Sequence, residues 1–156
     1  MNRVLQITKY VFADLLAATL AWSIFYLYRK LEIESVLYGY KLPLQPDKNF
    51  FMGITVLPVA WVIVYALMGT YNDIYRKSRL KEFGQTLIVS LIGCLIIFFS
   101  LLLDDVIVSY RSYYSTFMAL FLLHFLITAL FRFFITTFTA RKIKSRKIGF
   151  PTLIVG

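Results

Sequence analysis

The chain has 156 residues, of which 60% are hydrophobic and 16% charged, and its formal net charge is +9. Soluble domains carry about 25% charged residues, and one of this length buries only roughly 70% of the surface of its unfolded chain. Together with a mean hydropathy of +0.73, this composition excludes an ordinary soluble domain and predicts a membrane protein.

Four apolar stretches are each long enough to cross the hydrocarbon core as a helix, which takes about 20 residues. We expect them near residues 7–28, 50–68, 85–103 and 113–138. Short connections favour antiparallel neighbours, and continuous rather than alternating apolar runs argue against membrane strands. The predicted fold is therefore an all-α membrane protein, a four-transmembrane-helix antiparallel bundle that occupies residues 1–147.

The first stretch is interrupted by Asp14 and has no small-x-small cleavage site before its polar flank. We therefore expect no cleavable signal peptide. Small residues share one helix face with this aspartate, and they permit the close approach of another helix. These residues are Ala17, Ala18 and Ala21.

A basic segment, residues 71–83, joins the second and third stretches. Its apolar side chains, Tyr71 and Phe83 among them, could face lipid while its basic ones reach headgroups, as in an interfacial helix. A loop that only sets the topology explains the same residues. The basic side chains predicted to contact lipid headgroups, here and after the fourth stretch, are Arg76, Lys77, Arg79, Lys81, Arg141 and Lys142.

The third stretch contains the single cysteine of the chain, Cys94. A lone cysteine excludes an intramolecular disulfide, and its apolar surroundings indicate a small buried packing residue. The acidic pair at residues 104–105 then marks a turn before the fourth stretch.

Polar residues recur every four positions along the fourth stretch, which places them on one stripe of a helix. They are His124, Thr128, Arg132 and Thr136. Such a stripe in a membrane helix is expected to face other helices. For His124 we favour a satisfied interhelical hydrogen bond over proton relay, since no second ionisable residue lies at its depth.

The charges inside the first and fourth stretches lie at similar depths. Asp14 and Arg132 differ by roughly 6 Å along the membrane normal, at about 1.5 Å per helical residue, and an arginine side chain spans such a gap. An unpaired charge in hydrocarbon costs several kcal/mol. We therefore predict an Asp14–Arg132 ion pair that joins the two helices, either as a structural lock or with Arg132 also holding a lipid phosphate.

Basic residues are distributed unevenly between the two sides of the predicted bundle. Eleven lie in the N-terminus, the second loop and the tail, against five on the other side. This asymmetry predicts that both termini are cytoplasmic. Basic residues beside membrane helices orient the helices in the bilayer and attract anionic lipid headgroups, which explains the positive net charge. We therefore expect a lipid bilayer rather than nucleic acid as the partner.

Residues 148–156 leave the membrane pattern, and their apolar run is typical of a first β-strand. We expect them to begin a truncated cytoplasmic α/β domain that is Rossmann-like. Elsewhere the sequence contains no phosphate-binding glycine loop and no His/Cys spacing typical of a metal site. No catalytic residue, cofactor or metal site is therefore expected in this chain, and the chain alone is expected to be inactive.

Several segments resemble the N-terminal membrane domain of bacterial polyprenyl glycosylphosphotransferases. They are Gly-Thr-Tyr at 69–71, Tyr-Arg-Lys-Ser-Arg-Leu-Lys-Glu at 75–82, Arg132 in the fourth stretch, the basic tail and Thr-Leu-Ile-Val-Gly at 152–156. The sequences of residues 71–85 and of Arg-Lys-Ile-Gly at 146–149 are similar to those of the Bacteroidetes-type members of this family. The resemblance covers essentially the whole chain, though much of it is hydrophobic sequence.

This resemblance implies a multi-pass protein of the bacterial inner membrane that takes part in exopolysaccharide synthesis. Such enzymes move a sugar 1-phosphate from a nucleotide sugar to undecaprenyl phosphate. In that family a separate C-terminal domain carries the acidic catalytic residues and the Mg²⁺ site, so no family catalytic residue is transferred to this chain. Polyprenyl phosphate and a second copy of the chain are further candidate partners.

Two other functions fit the same sequence. A membrane-bound nucleotide-sugar 4,6-dehydratase has a similar four-helix start before a dinucleotide-binding strand. Alternatively, the chain is a small membrane scaffold that acts by itself. The sequence downstream of residue 156 distinguishes the three, because a transferase domain, a dehydrogenase domain or a stop codon would follow.

We predict the topology from the basic asymmetry and the four spans. Reporter fusions after Lys48 and Arg111 should report a periplasmic location, and fusions after Lys77 and Lys147 a cytoplasmic one. Paired alkaline phosphatase and green fluorescent protein fusions measure this directly. A cytoplasmic signal after Lys48 would overturn the assignment.

Overall fold

A computed structural model of the chain describes residues 3–35, 39, 45–72, 78–102 and 110–144. The described residues form four long α-helices: α1 Arg3–Tyr28, α2 Lys48–Leu67, α3 Arg79–Ile97 and α4 Tyr110–Lys144. Short π-helical segments continue two of these helices, Arg29–Glu34 after α1 and Phe98–Leu102 after α3.

All four helices have the length and apolar composition that crossing a membrane requires, within the part of the chain that is described. Large apolar side chains cover their outer faces, as Phe12, Val56, Ile96 and Phe134 illustrate. The predicted all-α bundle of four candidate membrane-spanning helices is confirmed. The predicted strand within 148–156 lies outside the described residues.

The third helix begins earlier than the sequence analysis predicted, at Arg79 rather than near residue 85. Ser78 caps it by accepting a hydrogen bond from the backbone N–H of Lys81 at 3.2 Å, and Glu82 places an acidic group in its first turn. Both features favour a helix start at this point. Residues 79–83 are thus part of α3 and not of a separate interfacial helix.

The start of α2 is tied to the end of α1. Asp47 caps α2 by accepting a hydrogen bond from the N–H of Phe50 at 2.9 Å, and its carboxylate lies 3.5 Å from the ammonium of Lys30. Partial burial opposes ionisation, but the Phe50 amide and the Lys30 ammonium outweigh it and lower the pKa of Asp47. At the other end of α2, Gly69 adopts a positive φ of 65°, a conformation that glycine accepts without a steric cost.

Helix α1 packs along both α2 and α4, and α3 packs mainly along α4. Between α1 and α2 the ring of Trp22 lies against Gly53, and between α2 and α3 the ring of Trp61 lies against Gly93. Trp61 also stacks on the imidazole of His124, with ring centroids 3.6 Å apart. Cys94 is fully buried beside this layer, which agrees with its predicted packing role.

The contact between Gly93 and Trp61 generates a stability prediction. A methyl group at residue 93 would overlap the Trp61 ring, and the stacking of this ring on His124 opposes its displacement. We expect Gly93→Ala to lower the free energy of unfolding by about 1–3 kcal/mol.

Gly84 of the same helix provides the control, because a Cβ there meets nothing within 4 Å. Gly84→Ala should leave the free energy of unfolding unchanged or raise it by about 0.5–1 kcal/mol through helix propensity. Thermal unfolding of both variants in one detergent measures the difference. Equal effects of the two substitutions would show that Trp61 does not fill the space beside Gly93.

Candidate functional site

The ion pair predicted from the sequence is buried between α1 and α4. Arg132 donates two hydrogen bonds to Asp14, from Nε to Oδ1 at 2.9 Å and from Nη2 to Oδ2 at 2.8 Å. Both side chains are almost completely buried, with 1% and 0% of their side-chain surfaces exposed. Two parallel hydrogen bonds fix the orientation as well as the distance of the partners.

The remaining contacts of this pair come from other parts of the chain. The Tyr71 hydroxyl, in the turn after α2, donates to Asp14 Oδ2 at 2.8 Å. Arg132 Nη1 donates to Thr86 Oγ1 on α3 at 3.2 Å, and the Tyr65 ring on α2 lies 4.0 Å from the guanidinium carbon. The two charges therefore contact side chains from all four helices.

The interfacial-helix interpretation of residues 71–83 had Tyr71 facing lipid, and the structure contradicts this for Tyr71. Its side chain is only 8% exposed. The Tyr71 hydroxyl donates a hydrogen bond to the buried carboxylate of Asp14. The positive-φ turn at Gly69, two residues earlier, directs the chain toward this contact. A tyrosine at a membrane boundary looks the same in sequence whether its hydroxyl meets water or a buried acid.

Polar pairs continue the contact between α1 and α4 on one side of the ion pair. Gln6 Nε2 donates to Thr139 Oγ1 at 2.6 Å, and the Tyr10 and Thr136 hydroxyls share a hydrogen bond of 2.9 Å. From one pair to the next, the residue number rises by four along α1 and falls by three or four along α4. This is the register of an antiparallel helix pair. We call the three pairs Gln6–Thr139, Tyr10–Thr136 and Asp14–Arg132 the polar seam.

The small-residue face of α1 lies where the sequence placed it. Ala17, Ala18 and Ala21 are each no more than 2% exposed. They continue the face of Asp14 by one and two turns, on a helix that packs along α4. Short side chains allow the two backbones to approach along this stretch.

The predicted stripe of α4 is buried along its whole length, with His124 and Thr128 exposed by 2% and 0%. His124 Nε2 lies 3.0 Å from the Tyr65 hydroxyl, in addition to its stacking on Trp61. The imidazole is thus held by one hydrogen bond and one aromatic face, the arrangement of an interhelical packing group.

Glu82 is a buried residue that the sequence analysis placed in the loop. It is only 4% exposed, and its Oε2 accepts a hydrogen bond from the Thr136 hydroxyl. A signal for its position exists, because Glu82, Thr86 and Ser90 are spaced by four residues as the stripe of α4 is. All three are buried, and Glu82 and Thr86 accept hydrogen bonds from Thr136 and Arg132 of α4.

The predicted headgroup contacts divide into described and undescribed residues. Arg79, Lys81 and Arg141 are exposed at the end of the bundle where α3 begins and α4 ends. Arg76, Lys77 and the side chain of Lys142 lie outside the described residues. Contact of these groups with lipid stays a prediction.

In the described ranges no group of three or more His, Cys, Asp or Glu side chains comes together as metal ligands would. Comparisons with family models, curated proteins and solved structures give no match for this chain. The geometry identifies the polar seam and its neighbours Tyr71, Thr86 and Glu82 as the chemically distinctive part of the described bundle.

The central pair yields a prediction for a double-mutant cycle. Asp14→Asn and Arg132→Leu should each destabilise the bundle by roughly 3–5 kcal/mol, because each leaves a buried charge without its partner. The double variant should recover much of this loss. Thermal unfolding in detergent measures the coupling energy.

The pair formed by Lys30 and Asp47 serves as a control with a solvent-exposed carboxylate. The Asp47 side chain is 49% exposed and that of Lys30 11%, and because solvent screens the carboxylate, Lys30→Gln and Asp47→Asn should show a coupling below about 1 kcal/mol. Asparagine preserves the cap of α2, which keeps the control free of helix-end effects. Additive losses at Asp14 and Arg132 would contradict the role given to their pair.

Proposed function

We propose that this chain is the membrane-anchoring N-terminal module of a sugar transferase that initiates surface polysaccharide synthesis. The enzyme would transfer a sugar 1-phosphate from a nucleotide sugar to undecaprenyl phosphate in the bacterial inner membrane. The resemblance of residues 69–71, 75–82 and 152–156 to polyprenyl glycosylphosphotransferases supports the identity of the enzyme. The bundle geometry supports the anchoring role.

The anchoring role is supported mainly by the two hydrogen bonds between Asp14 and Arg132. Arg132 donates to Asp14 from Nε and Nη2 and to Thr86 from Nη1. Its guanidinium also lies on the Tyr65 ring. A pair buried in this way fixes the helix positions and commits three donors of the guanidinium to protein groups. This is the property expected of an anchor with one stable arrangement.

Phosphoryl transfer needs charge stabilisation beside the phosphates, commonly from metal ions held by carboxylates. The two buried carboxyl groups of the described residues are engaged in other contacts, since Asp14 accepts from Arg132 and Glu82 accepts from Thr136. In this proposal the metal and the catalytic carboxylates belong to a separate cytoplasmic domain. The membrane module holds that domain at the bilayer surface, where the lipid acceptor is found.

Activity of the reconstituted chain tests the proposal. We expect the 156-residue chain to insert into liposomes but to release no nucleoside monophosphate from a panel of nucleotide sugars with undecaprenyl phosphate and Mg²⁺. Membranes containing the complete reading frame should release it. Empty liposomes give the background.

Three outcomes would contradict the proposal. Release by the 156-residue chain, abolished by Asp73→Asn or Glu82→Gln, would place the catalytic groups in the bundle. A dehydrogenase domain in the complete reading frame would identify a nucleotide-sugar dehydratase instead. A reading frame that ends at Gly156 would leave the small scaffold protein as the remaining interpretation.

A further inference from the structure

A crevice of about 30 Å³ lies between α3 and α4. Glu82 and Arg132 belong to its inner wall and are 4% and 1% exposed, whereas the aromatic side chains on its rim, Phe83 and Phe133, are more than half exposed. Arg79 also lines it, with its guanidinium carbon 5.6 Å from the centroid of the Phe133 ring. The crevice thus connects a buried carboxyl group with the outer surface of the bundle.

One oxygen of Glu82 is left without a partner at this site. Oε2 accepts a hydrogen bond from Thr136, but Oε1 is buried and has no hydrogen-bond partner among the described residues. An unsatisfied buried carboxyl oxygen is costly, and more so when it carries charge. A further hydrogen-bond donor at Oε1, whether a solvent molecule, an undescribed side chain or a bound molecule, would remove this cost.

The charge balance specifies what kind of donor is needed. The described buried residues include two carboxylic acids, Asp14 and Glu82, and one arginine, Arg132. Arg132 gives its Nε and Nη2 donors to Asp14 and an Nη1 donor to Thr86. Arg79 also lines the crevice, but it is exposed and lies beside the Phe133 ring. A positively charged donor inside the crevice would therefore balance Glu82, while a phosphate there would meet the Glu82 carboxylate.

The size and depth of the crevice indicate where this donor comes from. A water-sized group needs about 10–15 Å³, so the crevice accepts an ammonium group but no complete phosphate. Glu82 lies three residues after Arg79, or roughly 4.5 Å further along the helix. The mouth is therefore at the end of the span, where lipid headgroups are found, and Arg79 stands beside it as a phosphate partner.

We propose that this crevice is a binding site for a phospholipid with a primary ammonium in its headgroup, such as phosphatidylethanolamine. The ammonium donates to Glu82 Oε1 inside the crevice. The lipid phosphate stays outside and contacts Arg79, while Phe83 and Phe133 pack on the adjoining carbon atoms. This site is independent of the proposed transferase role.

Stepwise methylation of the headgroup tests the proposal. The 156-residue chain would be placed in nanodiscs containing phosphatidylethanolamine, its N-methyl and N,N-dimethyl derivatives, or phosphatidylcholine, all with the same acyl chains. The headgroup charge stays constant while the number of N–H donors falls to zero. We expect the unfolding temperature to fall along the series, with a total difference of roughly 3–6 °C.

Two variants separate the site from a general effect of the bilayer. Glu82→Gln should abolish the dependence on methylation, whereas Glu32→Gln, which changes an exposed carboxylate, should retain it. If Glu82→Gln does not fold, Ala129→Leu replaces it, because Ala129 lines the crevice and a larger side chain would fill it.

The same experiments contain the results that would overturn the proposal. No difference between the lipids in the unmodified chain would mean that a proton or water satisfies Glu82. An unchanged difference in the crevice variant would mean that the bilayer acts elsewhere. Soluble phosphoethanolamine added to detergent-purified protein distinguishes the source, since stabilisation by it alone would identify a free headgroup as the ligand.

Discussion

The structure of this bundle depends on a charge that cannot remain alone in an apolar surrounding. Arg132 lies deep within α4, and an unpaired guanidinium there costs several kcal/mol. Asp14 satisfies it with two hydrogen bonds, which fixes α1 against α4 in one register. Thr86 and Tyr65 then complete the surroundings of the guanidinium, and Tyr71 those of the carboxylate. Each added partner also fixes the position of the element that supplies it.

Such polar contacts matter more here than in a soluble bundle, because lipid tails solvate apolar helix faces as well as another helix does. Association then depends on close packing and interhelical hydrogen bonds. The chain uses both along α1, where Gln6, Tyr10 and Asp14 bond to α4 at one end and alanines allow close contact further along. Tryptophan rings seated on Gly53 and Gly93 provide the corresponding packing around α2.

Sequence alone could predict those features that have few alternatives in a membrane. A charge within an apolar run must have a partner, and helical spacing left Asp14 and Arg132 as the matching pair. Glu82 escaped notice because basic neighbours on both sides are equally typical of a solvated loop. Its burial depends on where α3 begins, which is set by the Ser78 cap and by tertiary packing. The partner of Tyr71 was unpredictable for a similar reason, since a turn geometry decides which way its hydroxyl points.

The polar groups are concentrated toward one end of the bundle, and this asymmetry has a physical consequence. The seam and Glu82 occupy the end where α1 and α3 begin and α4 approaches its last turns. Aromatic packing around Trp22 and Trp61 fills much of the interior beyond the seam, whereas the bidentate hydrogen bond of the seam also fixes the orientation of its partners. Beyond Thr136 the helix α4 continues to Lys144. A domain attached after α4 would therefore be held by the most rigidly specified part of the bundle, which is the arrangement that the proposed anchoring role requires.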